Sequence, residues 1–350
     1  MLQRLLFIVF AVSASPSLVW AQQKAQEISG AGATFPALVY TSWAFAYSKE
    51  QGASVRYAAT GSSDGVKQIV ERKVDFGASD SPLSTSDLKI NKLIQFPTMV
   101  GGIVPVVNLP NVPGGSVKLT GPVLADLFSG EIKSWDDPRI AALNPGMRLP
   151  TLKVVRVVRT EGSGSTETFT SYLATQSPTW KASVGVGKQV KWKEGSLSVN
   201  GNDGVAESVK KTPGAIGYVS FDRVQYHDLA TVALRNAAGQ FVLPSESAFQ
   251  AAIRFAGAGK NDIMAETLIN ASGADAWPIT DITYVLMDAA PKSSAKANAS
   301  VKFFYWAFLK GDELIQGTGF APLPPAIQAR AVRKIGEIQP EDGPIKLFGS

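Results

Sequence analysis

An α/β fold is predicted by two features of the chain: short runs rich in β-branched residues, and apolar residues at helical spacing in the stretches between them. The 32 glycines and 21 prolines fit many tight connections rather than disorder, because nearly half of the chain, 45%, is hydrophobic. A length of 350 residues leaves room for about two domains.

From the amino end, residues 1–21 read as a secretory signal. Arg4 gives the positive start, 5–12 (LLFIVFAV) is an apolar run too short to span a bilayer, and 19–21 (VWA) resembles a small-x-small cleavage site. Cleavage is expected after Ala21, and no later run reaches transmembrane length. Tyr40, Trp43, Ala44 and Tyr47 fall at helical spacing ahead of Gly52, a stop. Residues 55–60 (VRYAAT) read as a strand, and Val66, Ile69 and Val70 as one face of a second helix. Strands follow at 100–108 (VGGIVPVVN) and 152–158 (LKVVRVV), then a helix with Phe169, Tyr172 and Leu173 inward. Residues 215–220 (AIGYVS) and 282–287 (ITYVLM) are further strands. Residues 300–310 (SVKFFYWAFLK) predict a buried helix ended by Gly311, and Pro324-Pro325 opens the last helix.

The chain contains no cysteine. Disulfides, thiol nucleophiles, thiolate metal sites and a lipidated cysteine at the cleavage site are therefore excluded. An exported, soluble protein of the periplasm fits. The formal charge of +5 includes Arg4 and is too mild for a nucleic-acid footprint, and no Lys/Arg cluster is interleaved with aromatics.

Three places share one local design, a Gly/hydroxyl loop leading into a predicted helix. They are 30–36 (GAGATFP), 60–65 (TGSSDG) and 159–166 (RTEGSGST). A helix start leaves backbone N–H groups unpaired and carries partial positive charge. Glycine admits a ligand close to the backbone, and Ser or Thr donates a hydroxyl hydrogen. Such corners suit anions. Each alone also reads as ordinary capping, with Ser62 or Ser163 as the cap. Three together, one with Arg159, point to a shared site. Nucleophilic or metal chemistry finds little support. The loops match neither GxxxxGK[ST], GxGxxG nor GxSxG. The one histidine, His227, lies in the polar stretch QYHD and reads as a surface residue, and no HExxH or aspartate-rich loop is present.

At these residues the chain closely resembles the periplasmic phosphate-binding proteins of phosphate ABC transporters. The matching motifs run in order: AGATFPA (31–37), GSSDGVKQI (61–69), VDFGASDSPLS (74–84), FPTMVGGIVPVVN (96–108), SWDDP (134–138), LNPG (143–146), RTEGSGST (159–166), FTSYLA (169–174), GNDGV (201–205), PGAIGYVS (213–220) and DAWPIT (275–280). The resemblance implies that Thr34 and Phe35 offer backbone N–H groups and a hydroxyl, and that Ser62 offers hydroxyl and backbone. Asp80 is implied as an acidic acceptor, Arg159 as the guanidinium, and Ser163, Gly164 and Ser165 as the closing corner. Two positions depart from the family pattern. Ser165 stands where Thr is usual, and Glu161, which would orient Arg159, where Asp is commoner. The segment 191–204 lacks the family's glycine-rich stretch and reads as loop variation outside the site.

By that resemblance the fold is a two-lobed periplasmic-binding-protein fold (type II), with mixed sheets flanked by helices. One lobe is expected from 22–108 and 283–350, the other from 109–282, with crossings at the strands 100–108 and 282–287. The ligand lies in the cleft and favours closure. No metal or cofactor is called for, since dipoles and one guanidinium spread the compensation. Asp80, which local sequence alone reads as a cap or surface turn, makes sense as acceptor of the hydroxyl hydrogen that phosphate keeps near neutral pH. Sulfate has no such proton and meets an unpaired acceptor, a mismatch worth about 10⁴–10⁵-fold in comparable sites. The expected partners are inorganic phosphate and the membrane permease subunits of an ABC transporter, with the protein a monomer. Two other readings stay open. One is a secreted phosphatase or serine hydrolase built on the serine-rich loop. The other is a binder of arsenate, which keeps a comparable hydroxyl; Asp80 argues against sulfate and molybdate.

Overall fold

The computed structural model describes residues 27–256 and 268–345. The expected signal at 1–21 lies outside them. The first part of the chain alternates strictly: β1 (Glu27–Gly32), α1 (Ala37–Gln51), β2 (Ser54–Ala59), α2 (Ser62–Val70), β3 (Phe76–Ser79), α3 (Thr85–Ile90) and β4 (Leu93–Val107). The middle holds β5 (Lys118–Leu119), α4 (Gly121–Ser129), α5 (Pro138–Ala141), β6 (Val155–Arg159), α6 (Gly164–Gln176), α7 (Pro178–Ser183), β7 (Leu197–Val199), α8 (Gly201–Lys211), β8 (Ala215–Ser220) and α9 (Phe221–His227). Then come β9 (Ala230–Thr231), β10 (Ala233–Arg235), β11 (Phe241–Val242), α10 (Glu246–Phe255), β12 (Thr280–Asp288), α11 (Ser294–Lys310), α12 (Asp312–Ile315), β13 (Phe320–Pro322) and α13 (Pro325–Ile335).

The main sheet runs β2-β1-β3-β12-β4-β8-β6-β7. Its first three strands are parallel, as are β8, β6 and β7, while β12 and β4 run antiparallel to their neighbours. The 15-residue β4 joins the two parallel sections. Its first part pairs with β12 from Leu93↔Asp288 to Gly102↔Thr280, and its last with β8 from Ile103↔Ser220 to Val107↔Ile216. A register shift falls between Thr283 and Tyr284, which face Met99 and Pro97. Pro97 has no N–H to give the ladder, and a bulge is one of the few ways a central strand accommodates it. The left-over residue, Thr98, donates from Oγ1 to the Thr283 carbonyl at 3.3 Å and meets the Tyr40 hydroxyl at 2.8 Å.

Two aromatic cores flank the seam. On one side α1 buries Tyr40, Trp43, Ala44 and Tyr47, the residues picked out by spacing. Tyr40 packs edge-on to Tyr57 at 5.0 Å, Phe76 lies 4.9 Å from Phe304, and Trp43 Nε1 donates to the Gly311 carbonyl at 3.0 Å. Each such ring pair contributes roughly 1 kcal/mol beyond its buried area. On the other side α6 buries Phe169, Tyr172 and Leu173. Phe169 stacks on Tyr218 at 4.3 Å and meets Phe128 at 4.8 Å.

The strand expected at 152–158 begins only at Val155. Lys153 instead bridges Ser134, and Val154 donates to the Lys133 carbonyl at 2.9 Å, so these residues pair with the SWDD segment. The strand expected at 100–108 begins seven residues earlier, at Leu93. The helix expected at 300–310 starts at Ser294 and is sided rather than buried all round, with Leu309 65% exposed.

Candidate functional site

In an α/β sheet, ligands gather where parallel strands end at their carboxyl edge. The three corners lie there. The Thr34 corner follows β1, the Ser62 corner follows β2, Asp80 follows β3, and Arg159 ends β6 with its loop leading into α6. The structure bonds these corners to one another. Gly61 N–H donates to the Gly32 carbonyl at 2.8 Å, joining the first two. Ser63 N–H donates to the Gly162 carbonyl, and Gly164 N–H to Ser62 Oγ, both at 3.0 Å, joining the second and third. Arg159 Nη2 donates to Thr34 Oγ1 at 3.1 Å, joining the third and first. Asp80 N–H reaches Ser62 Oγ at 3.3 Å.

Ser163 is a cap, its Oγ accepting from Thr166 N–H at 3.2 Å at the start of α6. Ser62 is not, since Gly61 takes the capping position and Ser62 Oγ serves Asp80 and Gly164 instead. Asp80 is neither cap nor surface turn. It is 1% exposed, while Ser84 caps the helix that follows. Phe35 is fully buried edge-on to Phe320 at 4.9 Å, which anchors the backbone of the first corner. Ser165 is buried and donates to Asp80 Oδ2 at 3.5 Å.

Arg159 is buried, and Glu161 orients it. Nε donates to Glu161 Oε1 at 2.6 Å, and Nη2 shares the same oxygen. The longer Glu therefore reaches the guanidinium. Among the described residues the buried Arg159 Nη1 has no hydrogen-bond partner, and a bound oxyanion would satisfy it. Burial pushes the Asp80 carboxyl up to about 6, against the Thr283 hydroxyl and the charges of Arg159 and Lys188, which favour its ionised form.

Four contributors escaped sequence reasoning. Asn202 is fully buried and donates from Nδ2 to Thr34 Oγ1 at 2.9 Å, while Gly201 N–H donates to Glu161 Oε1 at 3.1 Å. The expectation that 191–204 stands outside the site is corrected: its last residues follow β7 into α8 and press on Thr34 and Glu161. GNDG after LSV has the same Gly/polar form as the other corners, and that form was the available signal. Thr283 donates from Oγ1 to Asp80 Oδ1 at 2.8 Å, and Asp281, two residues earlier, is fully buried. A carboxyl within the apolar run of β12 was the signal there.

A cavity of about 440 Å³ opens beside the corners, lined by Thr34, Thr60, Glu161, Gly201, Asp203 and Arg223, among others. Arg223 is held by Asp203 at 2.7 Å and Asp222 at 2.6 Å. His227 is half-buried with Nε2 at 3.3 Å from Asp203 Oδ1, and among the described residues no hydrogen bond joins it to a serine. The Ser–His hydrolase reading is therefore not favoured. No described group of three or more His, Asp or Glu side chains converges on a metal position.

A family model described as a PBP superfamily domain matches residues 20–309. The chain is 42% identical over 301 residues to the phosphate-binding protein PstS of Haemophilus influenzae, covering 86% of this chain and 90% of that one. It is 41% identical over 344 residues to the phosphate-binding protein PstS of Pasteurella multocida, covering 98% and 97%. A solved phosphate-binding protein from Stenotrophomonas maltophilia superposes with a TM-score of 0.66 at 20% identity, covering 88% of this chain and 94% of that one. That likeness speaks for the fold.

Proposed function

Because the chain belongs to the PstS family of phosphate-binding proteins within the PBP superfamily, we propose that its clustered corners capture inorganic phosphate and hand it to an ABC permease. The observation that carries this reading is the meeting of three Gly/hydroxyl corners, a buried guanidinium with a free Nη1, and a buried carboxyl in one network.

Phosphate near neutral pH is mostly a dianion with one P–OH. Removing its water is costly, and the site replaces water with fixed donors. Thr34, Phe35, Ser62, Ser163, Gly164 and Ser165 supply hydroxyl and amide hydrogens, and Arg159 supplies the charge-assisted contact. Asp80 accepts the P–OH hydrogen. With its carboxyl at about 6, Asp80 is mostly ionised at neutral pH and suited to that task.

The sections 22–108 with 283–350, and 109–282, serve as two lobes joined at β4 and β12. The first lobe brings Thr34, Ser62 and Asp80, the second Arg159 and its loop. A ligand held by both favours the closed form, and the cavity beside Thr34 and Arg223 is the entrance. The closed shape is what the permease recognises. Export to the periplasm follows from the leader-like residues 1–21. No helix among the described residues is long and apolar enough to cross a membrane.

Calorimetry with phosphate and sulfate tests the reading. One phosphate binds per chain, sulfate competes hardly at all, and Arg159→Ala weakens phosphate binding severely because Glu161 and the anion lose their shared cation. Equal affinities for the two anions would remove Asp80 from its role, and an unchanged Arg159→Ala would remove the guanidinium.

A further inference from the structure

Two buried carboxyl groups, Asp80 and Asp281, sit beneath the corners close enough for the charge of one to bear on the other, and two periodicities put them there. On β12, Asp281 and Thr283 are two residues apart and so share a face. On α6, Ser165 and Thr168 are three apart and share a face. Thr283 Oγ1 donates to Asp80 Oδ1 at 2.8 Å and Ser165 Oγ to Asp80 Oδ2 at 3.5 Å. Thr168 Oγ1 donates to Asp281 Oδ1 at 3.0 Å. The same strand and the same helix thus hold both acids, which are 1% and 0% exposed.

Their surroundings differ. Asp80 has a hydroxyl on each oxygen, with Arg159 and Lys188 near enough to favour its charge. Among the described residues Asp281 has only Thr168 and the Ile282 N–H, at 2.9 Å, both on Oδ1, and its buried Oδ2 has no partner. Among the described residues no Lys or Arg forms an ion pair with Asp281. The charged groups that bear on it most are both acidic, Asp80 just after β3 and Glu167 on α6. On the neighbouring β4 the residue opposite is Gly101, which β13 meets with Phe320, and neither titrates. Two carboxylates in one dry space repel, so one proton is retained and goes to the less well solvated group, the one without cations or a second hydroxyl.

We propose that Asp281 is a positioning residue for the ligand-proton acceptor: it carries the single proton of the buried pair and so leaves Asp80 ionised to receive the phosphate hydroxyl. Burial first, and the charge of Asp80 second, push the Asp281 carboxyl well above the ordinary carboxylate range, which agrees with this division. Once Asp281 ionises at alkaline pH, a second negative charge stands beside Asp80 and the anion, and phosphate is held less tightly. The functional half of this inference rests on the phosphate reading above; the protonation half does not.

Two measurements on the full chain test it. Infrared difference spectroscopy of the phosphate-free protein at neutral pH is expected to show a protonated carboxyl band that disappears in Asp281→Asn. Phosphate calorimetry from pH 6 to 9.5 is expected to show affinity falling at the alkaline end for the parent chain but not for Asp281→Asn, so that their ratio shifts by at least about tenfold, the effect of about one unit of coupling. Thr168→Val, which removes a donor to the Asp281 carboxylate, moves the fall to higher pH. An infrared spectrum unchanged by Asp281→Asn, or an affinity ratio independent of pH, overturns the proposal. A parent chain that bound no phosphate but kept the infrared band would instead overturn the phosphate reading alone.

Discussion

Gly164 stands where no side chain fits. A Cβ there would lie 2.6 Å from Asp80 Cβ and 2.7 Å from Ser62 Oγ, so Gly164→Ala has to push the third corner off the other two. Overpacking of this kind costs about 1–3 kcal/mol, and phosphate affinity is expected to fall roughly ten- to a hundredfold by calorimetry. Asp80 gives a second expectation. Its carboxyl lies at about 6, so it is ionised above that pH and repels a fully deprotonated anion. As pH drops through about 6 it gains a proton and becomes a donor. Sulfate affinity is therefore expected to rise between pH 7 and 5, read by direct titration; a flat profile would place the discrimination elsewhere. The corners at Thr34, Ser62 and Arg159 could be picked out because each is a local pattern, whereas Asp80 was singled out only by the family resemblance. Asn202, Thr283 and Asp281 were not, because their roles depend on partners far along the chain. Asn202 lies 168 residues from Thr34, and Thr283 lies 203 from Asp80.

At the scale of elements, Ser163 does two jobs. It caps α6, and it belongs to the third Gly/hydroxyl corner, which the proposed function places against the anion. Ser163→Ala is expected to cost about 1 kcal/mol of stability without phosphate, by urea unfolding, as a lost cap does. Ser165→Ala, one residue inside the helix, leaves the cap in place and is expected to spare most of that loss. Helix starts were readable for the same reason that caps are, since they need only a few neighbouring residues. The early start of β4 was not readable, because Pro97 argues against a central strand. Only the bulge at Thr98, set by pairing with β12 more than 180 residues away, makes room for it.

At the scale of the whole molecule, several buried acids bias stability toward lower pH. Asp222 is buried, and burial pushes its carboxyl up to about 6 against the opposing charge of Arg223. Its unfolded value is about 3.9. The folded chain therefore binds this proton more readily than the unfolded one, and the group's contribution declines as pH rises from about 4 through 6. Replacement by Asn removes that decline. The melting temperature of Asp222→Asn relative to the parent chain is expected to be more favourable at pH 7 than at pH 5; an equal difference at both would show that Asp222 does not titrate this way. The alternation of strands and helices was legible at this scale. The strand order, and the single long β4 shared by both parallel sections, follow from distant pairing that local pattern does not encode.

The ladder between β4 and β12 has a mechanical meaning. Two strands bonded along nine residues do not swing about one bond as a bare linker does; they yield by torsion spread over their length. On the proposed two-lobe reading, opening the cleft has to wind that ribbon, and the strain so stored favours closing it again. On the same reading, ribbon residues such as Pro97 and Thr98 set part of the resistance to opening, apart from the side chains that would hold the anion.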